Sequence, residues 1–253
     1  MKKAAKALTV PLLLLVVAEL CAHVSARTSD ALAPPSAIIL ALFRALADGS
    51  LLLATRDTLI AALGGLFLGA TIGLLLGIIL GLIPLLSQAT ALTIEVLRPI
   101  PSVALLPIAM LVFGFGYRME IAIVAFSCIW PMLILTRAAL SGVEPRLLEV
   151  SRALGLTVLS RVWKIVLPAS LPRILVAFRL AAGIALVVAV TVEIAVNPLG
   201  LGYGILVAQQ ALRPDLMLAY LLWVGIVGYG LNASLSYLQR QMGRAAFPEA
   251  MRR

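Results

Sequence analysis

The chain has 253 residues, 62% of them hydrophobic and only 12% charged, whereas a soluble domain carries about 25% charge; a water-soluble globular class is excluded. The formal net charge of +9 does not mark a nucleic-acid binder, because the basic residues stand at the ends of apolar runs and form no single patch. One histidine, two cysteines (Cys21 and Cys128) inside apolar runs and no GxxxxGK[ST] loop leave no metal centre, disulfide frame or phosphate loop to expect, and no cofactor.

Apolar runs close to twenty residues, the length that crosses about 30 Å of hydrocarbon, predict an all-α polytopic membrane protein with about six spans: Ala7–Ser25, Thr58–Leu82, Ala91–Phe113, Glu120–Ala138, Ile174–Val196 and Leu216–Leu238. The first run, preceded by Lys2, Lys3 and Lys6, reads either as a retained anchor or as a signal peptide cleaved near Val24-Ser25-Ala26. Its length and the Glu19 within it favour the anchor, with Glu19 and His23 in structural or interfacial roles. An amphipathic helix is expected from about Pro35 to Ala47, too short to cross.

The second run carries Gly65, Gly69, Gly73, Gly77 and Gly81, each four residues from the last. On a helix they form one stripe that lets another backbone approach closely, either as plain packing or as a surface for association or sliding. The third run is broken by Arg98, Pro99, Pro101 and Pro107, which places it in an interior or beside water, where freed backbone groups find partners. Trp130, Trp163 and Trp223 are anchors or packing residues.

Six spans put both termini on one side. That side collects fifteen of the twenty basic residues, and the other keeps Arg27, Arg44, Arg56, Arg118 and Arg213. The positive-inside bias makes the richer side cytoplasmic. The connection between spans four and five is then cytoplasmic and reads EVSRALGLTVLSRVWKIVLPASLP from Glu149 to Pro172. Pro145 opens a helix whose Leu147, Val150 and Leu154 share a face; Gly155 ends it; Thr157 caps a second short helix with Val158, Val162 and Val166, which Pro168 is expected to stop. About ten residues give a helix of ~15 Å, half the bilayer's thickness. From physics alone this is a partner-docking surface, an interfacial element resting on headgroups, or an idle loop.

The spacing Glu149, Gly155 and Ile165-Val166-Leu167-Pro168 resembles the EAA, three residues, G, nine residues, I-x-LP pattern of membrane subunits of ATP-binding-cassette importers. Val150 and Ser151 stand where that pattern has two alanines. The likeness extends from about Pro35 to Leu238 and is greatest to permeases of the nitrate, sulfonate and taurine type, through Arg98-Pro99-Ile100-Pro101, Pro107, Phe113-Gly114-Phe115-Gly116, Leu171-Pro172, Glu193 and Gly200-Leu201-Gly202-Tyr203. An arginine common early in span two of such permeases is Ala61 here, so no role tied to it carries over.

The resemblance implies a type I ABC-importer permease fold. Residues 1–34 would be an anchor span and external linker, residues 35–240 the transmembrane domain with its coupling segment at about 144–168, and residues 241–253 a short basic cytoplasmic tail. It assigns ATPase coupling to Glu149, Ser151, Gly155, Ile165, Leu167 and Pro168. The partners it implies are cytoplasmic ABC ATPase subunits that hydrolyse the ATP, an extracytoplasmic solute-binding protein and a second copy of the chain, in a bacterial inner membrane. The chain itself would be no enzyme, and the solute a sulfonate, nitrate, taurine or related small molecule.

Glu193 is the acidic residue deep in span five. An ionised carboxylate at mid-bilayer costs roughly 2.5–3.5 kcal/mol on insertion scales, so it either lines a path or gate, with Arg98 and Pro101 as further candidates, or lies near the outer interface and snorkels. The stretch NPLGLGYGI that follows is expected to be turns. A stand-alone secondary transporter or channel would need more intramembrane ionisable groups than Glu193 with outlying Glu19 and Glu95. A purely structural subunit is the third alternative.

Overall fold

The computed structural model describes Val17, Glu19 and residues 33–246, and every regular element among them is helical. The backbone divides into two compact units, Met1–Thr58 with Glu193–Val227 and Leu59–Val192 with Gly228–Arg253. Four helices are long and apolar enough to cross a membrane: Ser50–Leu82, Tyr117–Ser141, Val162–Ala195 and Pro214–Gln239. The expected third span is two pieces, Pro84–Leu97 and Ser102–Phe113, meeting at 82°. Pro99 and Pro101 supply no backbone N–H at the junction, so a straight hydrogen-bonded ladder cannot pass through it. The described residues therefore hold up to five crossings; the run Ala7–Ser25 lies outside them, save Val17 and Glu19.

In the first unit, helix α1 forms over Pro35–Ala47, with proline in its first turn, where a missing N–H costs nothing, and with Ala41, Leu42 and Ala45 buried. Its N-terminus is capped from a distance: the Glu19 carboxylate accepts the Ser36 N–H at 3.0 Å and the Ser36 hydroxyl at 2.7 Å, a negative group at the positive end of the helix. Gly49, at φ +79°, then turns the chain into α2 (Ser50–Leu82). The Ser50 N–H donates to Asp48 Oδ1 at 2.9 Å. Hydrogen bonds from the Ser50 side chain and backbone hold the Asp48 carboxyl below its usual value.

The second unit contains the rest of α2, then α3 (Pro84–Leu97), a 3-10 turn at Ser102–Leu105 leading into α4 (Leu106–Phe113), and α5 (Tyr117–Ser141). These are followed by α6 (Pro145–Ala153), α7 (Val158–Arg161), a π-helical turn at Val162–Val166 and α8 (Leu167–Ala195) as far as Val192. The chain after Asn197 is not the run of turns expected but an eleven-residue helix, α9 (Gly200–Gln210), in the first unit. Helix α10 (Pro214–Ala246) begins in the first unit and ends in the second. It carries the helix through residues expected to be a tail from 241; residues 247–253 lie outside the described chain.

The core of the second unit follows from small residues. The glycines of α2 all face α5: a Cβ at Gly69 would overlap the Ala125 carbonyl, one at Gly73 would stand 2.7 Å from Met132 Cβ, and one at Gly77 2.7 Å from Thr136 Cβ. Backbone thus meets side chain with no intervening methyl, and dispersion contacts act at short range. Beside this seam, Cys128 Sγ–H donates to the Ala181 carbonyl at 3.5 Å. Ala177, Ala181, Ala185 and Ala189, one per turn of α8, are buried there.

Two glycines give an internal control. Gly69→Ala is expected to destabilise by about 1–3 kcal/mol, because two helices must separate. At the helical Gly183 a Cβ meets nothing within 4 Å, so Gly183→Ala is expected to be neutral or to gain up to ~1 kcal/mol from helix propensity. Thermal unfolding of the two variants in one detergent checks the contrast.

Candidate functional site

The segment between α5 and α8 is short, capped and outward-facing. Glu144 precedes Pro145 at the first helical position of α6. At its other end Gly155 takes φ +65°, its N–H donates to the Arg152 carbonyl at 2.9 Å, and the Leu156 N–H reaches back to the Ser151 carbonyl at 3.1 Å. This is the glycine-terminated helix end in which two backbone donors satisfy the last carbonyls. A Cβ on Gly155 would meet nothing within 4 Å. Within the chain, glycine is needed there for its left-handed backbone and not for space. Thr157 caps α7, its Oγ1 accepting the Ser160 N–H at 3.3 Å.

Pro168 does not stop the second helix. Val158–Arg161 passes through the π turn Val162–Val166 directly into α8, so Ile165 lies in that turn while Leu167 and Pro168 begin the long helix. Pro168 lacks an N–H and its ring would press on the carbonyl four residues back. The wider π turn just before it re-registers the hydrogen bonds and absorbs both problems.

Two faces of α6 differ sharply. Ser151 is 0% exposed and donates its hydroxyl to the Leu148 carbonyl at 2.6 Å, so the small residue at this position is buried against its own chain. Leu147, Val150 and Leu154 are 40%, 54% and 68% exposed, and Val158 and Trp163 extend the exposed apolar surface at 72% and 64%. Glu149 and Arg152 are exposed among them. Below the segment the start of α8 is tied to the end of α5: the Ser170 hydroxyl donates to the Ala139 carbonyl at 3.2 Å, and Arg173 donates to the Gly142 carbonyl at 3.1 Å.

Arg98 follows α3 at the break in the third span. Pro101, in extended conformation, starts the 3-10 turn and accepts the Ala104 N–H at 2.9 Å. Beside them, between the broken span, α5 and α8, is a cavity of about 420 Å³; its polar liners are Arg98, Ser102, Ser127 and Trp130, its apolar ones include Phe126, Ile134 and Ile184, and none is a carboxylate. Among the described residues the Arg98 guanidinium has no ion-pair partner. Trp130 is held edge-on to Phe126, ring centroids 5.5 Å apart, and its Nε1–H is buried with no acceptor, a state that costs about 1–3 kcal/mol. The sequence offers Arg98 as a candidate for a path or gate but gives no such signal for Trp130, which looks like any other apolar residue of a span.

Glu193 occupies the first unit. It is 1% exposed, so it does not snorkel; its Oε2 accepts the Gly202 N–H at 2.7 Å. Thr58, fully buried, accepts the neighbouring Leu201 N–H at 2.9 Å. The two side chains thus satisfy consecutive donors in the first turn of α9, whose own N-cap residue, Leu199, has nothing to offer. Gly200, at φ +84°, lies so close to the carboxylate that any Cβ would overlap it. Thr58 gave no local signal, since its partner is 143 residues away.

A multi-pass bundle with one broken span and a short helix–turn–helix bearing an exposed apolar face is the architecture of a membrane-embedded transport subunit. The chain belongs to the family described as binding-protein-dependent transport system inner membrane component, whose model matches residues 69–246. It is 36% identical over 147 residues, 58% of this chain and 55% of the other, to a Methanocaldococcus jannaschii protein provisionally named as an ABC transporter permease. It is 28% identical to the taurine transport system permease protein of Escherichia coli, over 59% of this chain and 54% of that one. With the nitrate import permease protein of Leptolyngbya laminosa it shares 29% identity over 71% of this chain and 62% of that one. The chain thus spans about half the length of the curated relatives it matches. A chain of the MetNI methionine ABC transporter, solved in inward facing conformations, has the same fold: TM-score 0.66 at 22% identity, over 74% of this chain and 93% of that one.

Proposed function

We propose that the chain is the permease subunit of an ATP-driven, binding-protein-dependent importer. The observation that carries this reading is the exposed apolar surface of Leu147, Val150 and Leu154 on a short helix closed by Gly155, set in the Glu149-to-Pro168 pattern and supported by family membership. Such a face fits a protein partner or headgroups, and the Glu149-to-Pro168 pattern favours the protein. The partner is a cytoplasmic ATPase, which supplies all the free energy; this chain is a passive lever and path, not an enzyme. Gly155 and the π turn keep the lever compact, and Glu149, Ser151, Ile165, Leu167 and Pro168 complete the coupling pattern.

Two copies of the chain pair in the bacterial inner membrane with both termini cytoplasmic, the orientation supported by the distribution of its basic residues. The transmembrane domain covers residues 35–240, behind an anchor at 1–34. A solute-binding protein delivers a small solute to the outer mouth, and the taurine and nitrate relatives support a small oxyanion or zwitterion as cargo. The test is purification of the chain from its own membranes in mild detergent, with mass spectrometry of its companions. A stoichiometric ATPase carrying a GxxxxGK[ST] loop is expected. Recovery of the intact chain alone, under conditions that preserve known complexes, would favour an independent transporter.

A further inference from the structure

We propose that the cavity at the break of the third span is an anion-selecting solute site within this chain, formed by Arg98 with Trp130 and Ser102. This rests on the importer reading and deepens it, by adding a selective site to the permease itself. Four features of the second unit converge there. The cavity, about 420 Å³, has room for a small organic ion with attendant water. Its single charged liner is a guanidinium that has no ion-pair partner among the described residues, and no carboxylate lines the same space. The indole Nε1–H at its wall is buried and lacks an acceptor, and an oxyanion in the cavity would offer one once the ring turns slightly toward it. The remaining wall, Phe126, Ile134 and Ile184, is apolar and fits the hydrocarbon end of such an ion.

The neighbourhood reinforces the sign. Arg98 also lines an adjoining cavity of about 520 Å³ with Glu95 and Arg137, so the two spaces together present two cations and one carboxylate. Ser127 donates its own hydroxyl to the Ile123 carbonyl, which leaves Arg98, Ser102 and Trp130 as the donors. A planar fork of N–H groups recognises carboxylate, nitrate or sulfonate oxygens in pairs, whereas a lysine in its place would act as a point charge. A neutral solute of the same shape offers acceptor oxygens but no negative charge to answer the guanidinium.

The test uses the full complex in nanodiscs with 5-fluorotryptophan incorporated, so that each of the three tryptophans gives a fluorine resonance; the one lost in Trp130→Phe is assigned to Trp130. Methanesulfonate is titrated as the anionic probe and dimethyl sulfone as its neutral counterpart. A saturating shift of the Trp130 resonance is expected with methanesulfonate alone. Arg98→Gln should weaken it at least tenfold and Arg98→Lys much less, with the Trp223 resonance unmoved as the report on folding. Equal response to both probes, or an unchanged midpoint in Arg98→Gln, overturns the anion site. Co-purification of the ATPase in the same samples is scored separately: an ATPase that binds normally with no anion response sinks this inference alone, whereas a missing ATPase sinks the importer reading.

Discussion

Aspartate at both Val150 and Leu154 is expected to detach the ATPase and abolish uptake while the bundle stays folded. Both side chains are more than half exposed in the isolated chain, so their replacement removes few contacts within it. In the proposed complex each would bury its apolar surface, worth about 1.5–3 kcal/mol apiece, and each aspartate adds a charge that must be desolvated. Losing even ~3 kcal/mol weakens association by more than 100-fold. The affinity of the ATPase for the purified variant, together with its melting temperature, checks the prediction. A variant that keeps its melting temperature and loses the ATPase locates the contact. One that keeps both shows that α6 faces something else, and lipid headgroups become the leading occupant.

The exposed face was legible because it depends on local rules: proline at a helix start, glycine at its end, apolar residues three and four apart. Helix α1 was legible for the same reason, and forms over the expected residues. The second short helix was misjudged at Pro168, since proline normally ends a helix. A π turn is a hydrogen-bond register that leaves little trace in composition, and it carries the chain through. Helix α9 was missed altogether. With three glycines in its first five residues and a proline two residues before it, its sequence argues for turns, and its N-terminus is satisfied by side chains distant in the chain and not by its own cap. Propensity describes a segment standing alone, and here tertiary contacts from Glu193 and Thr58 decide the outcome. The broken third span was legible as a break, because proline's missing N–H is a local fact. Its 82° angle was not, because packing sets it.

Removing the cap is expected to destabilise the first unit. Glu193→Ala leaves the Gly202 N–H buried without this acceptor, at about 1–3 kcal/mol, and removes a negative group from a helix N-terminus, worth up to ~2 kcal/mol in partly buried geometry. Glu193→Gln keeps an oxygen for the N–H and loses only the charge, so it should cost about half as much. Gly200→Ala should be at least as harmful as Glu193→Ala: φ +84° costs a residue with a Cβ about 1–2 kcal/mol, and that Cβ collides with the carboxylate. The order of thermal stability expected is wild type, Glu193→Gln, Glu193→Ala, then Gly200→Ala, measured in one detergent by tryptophan fluorescence. Trp223 sits in the same unit, its Nε1–H donating to Thr55 Oγ1 at 2.8 Å, and its emission reports the local loss directly. If Glu193→Ala instead melts like the wild type and yet fails to transport, the carboxylate serves the solute's path. The buried acid of the fifth span would then act as a gate and only incidentally cap α9.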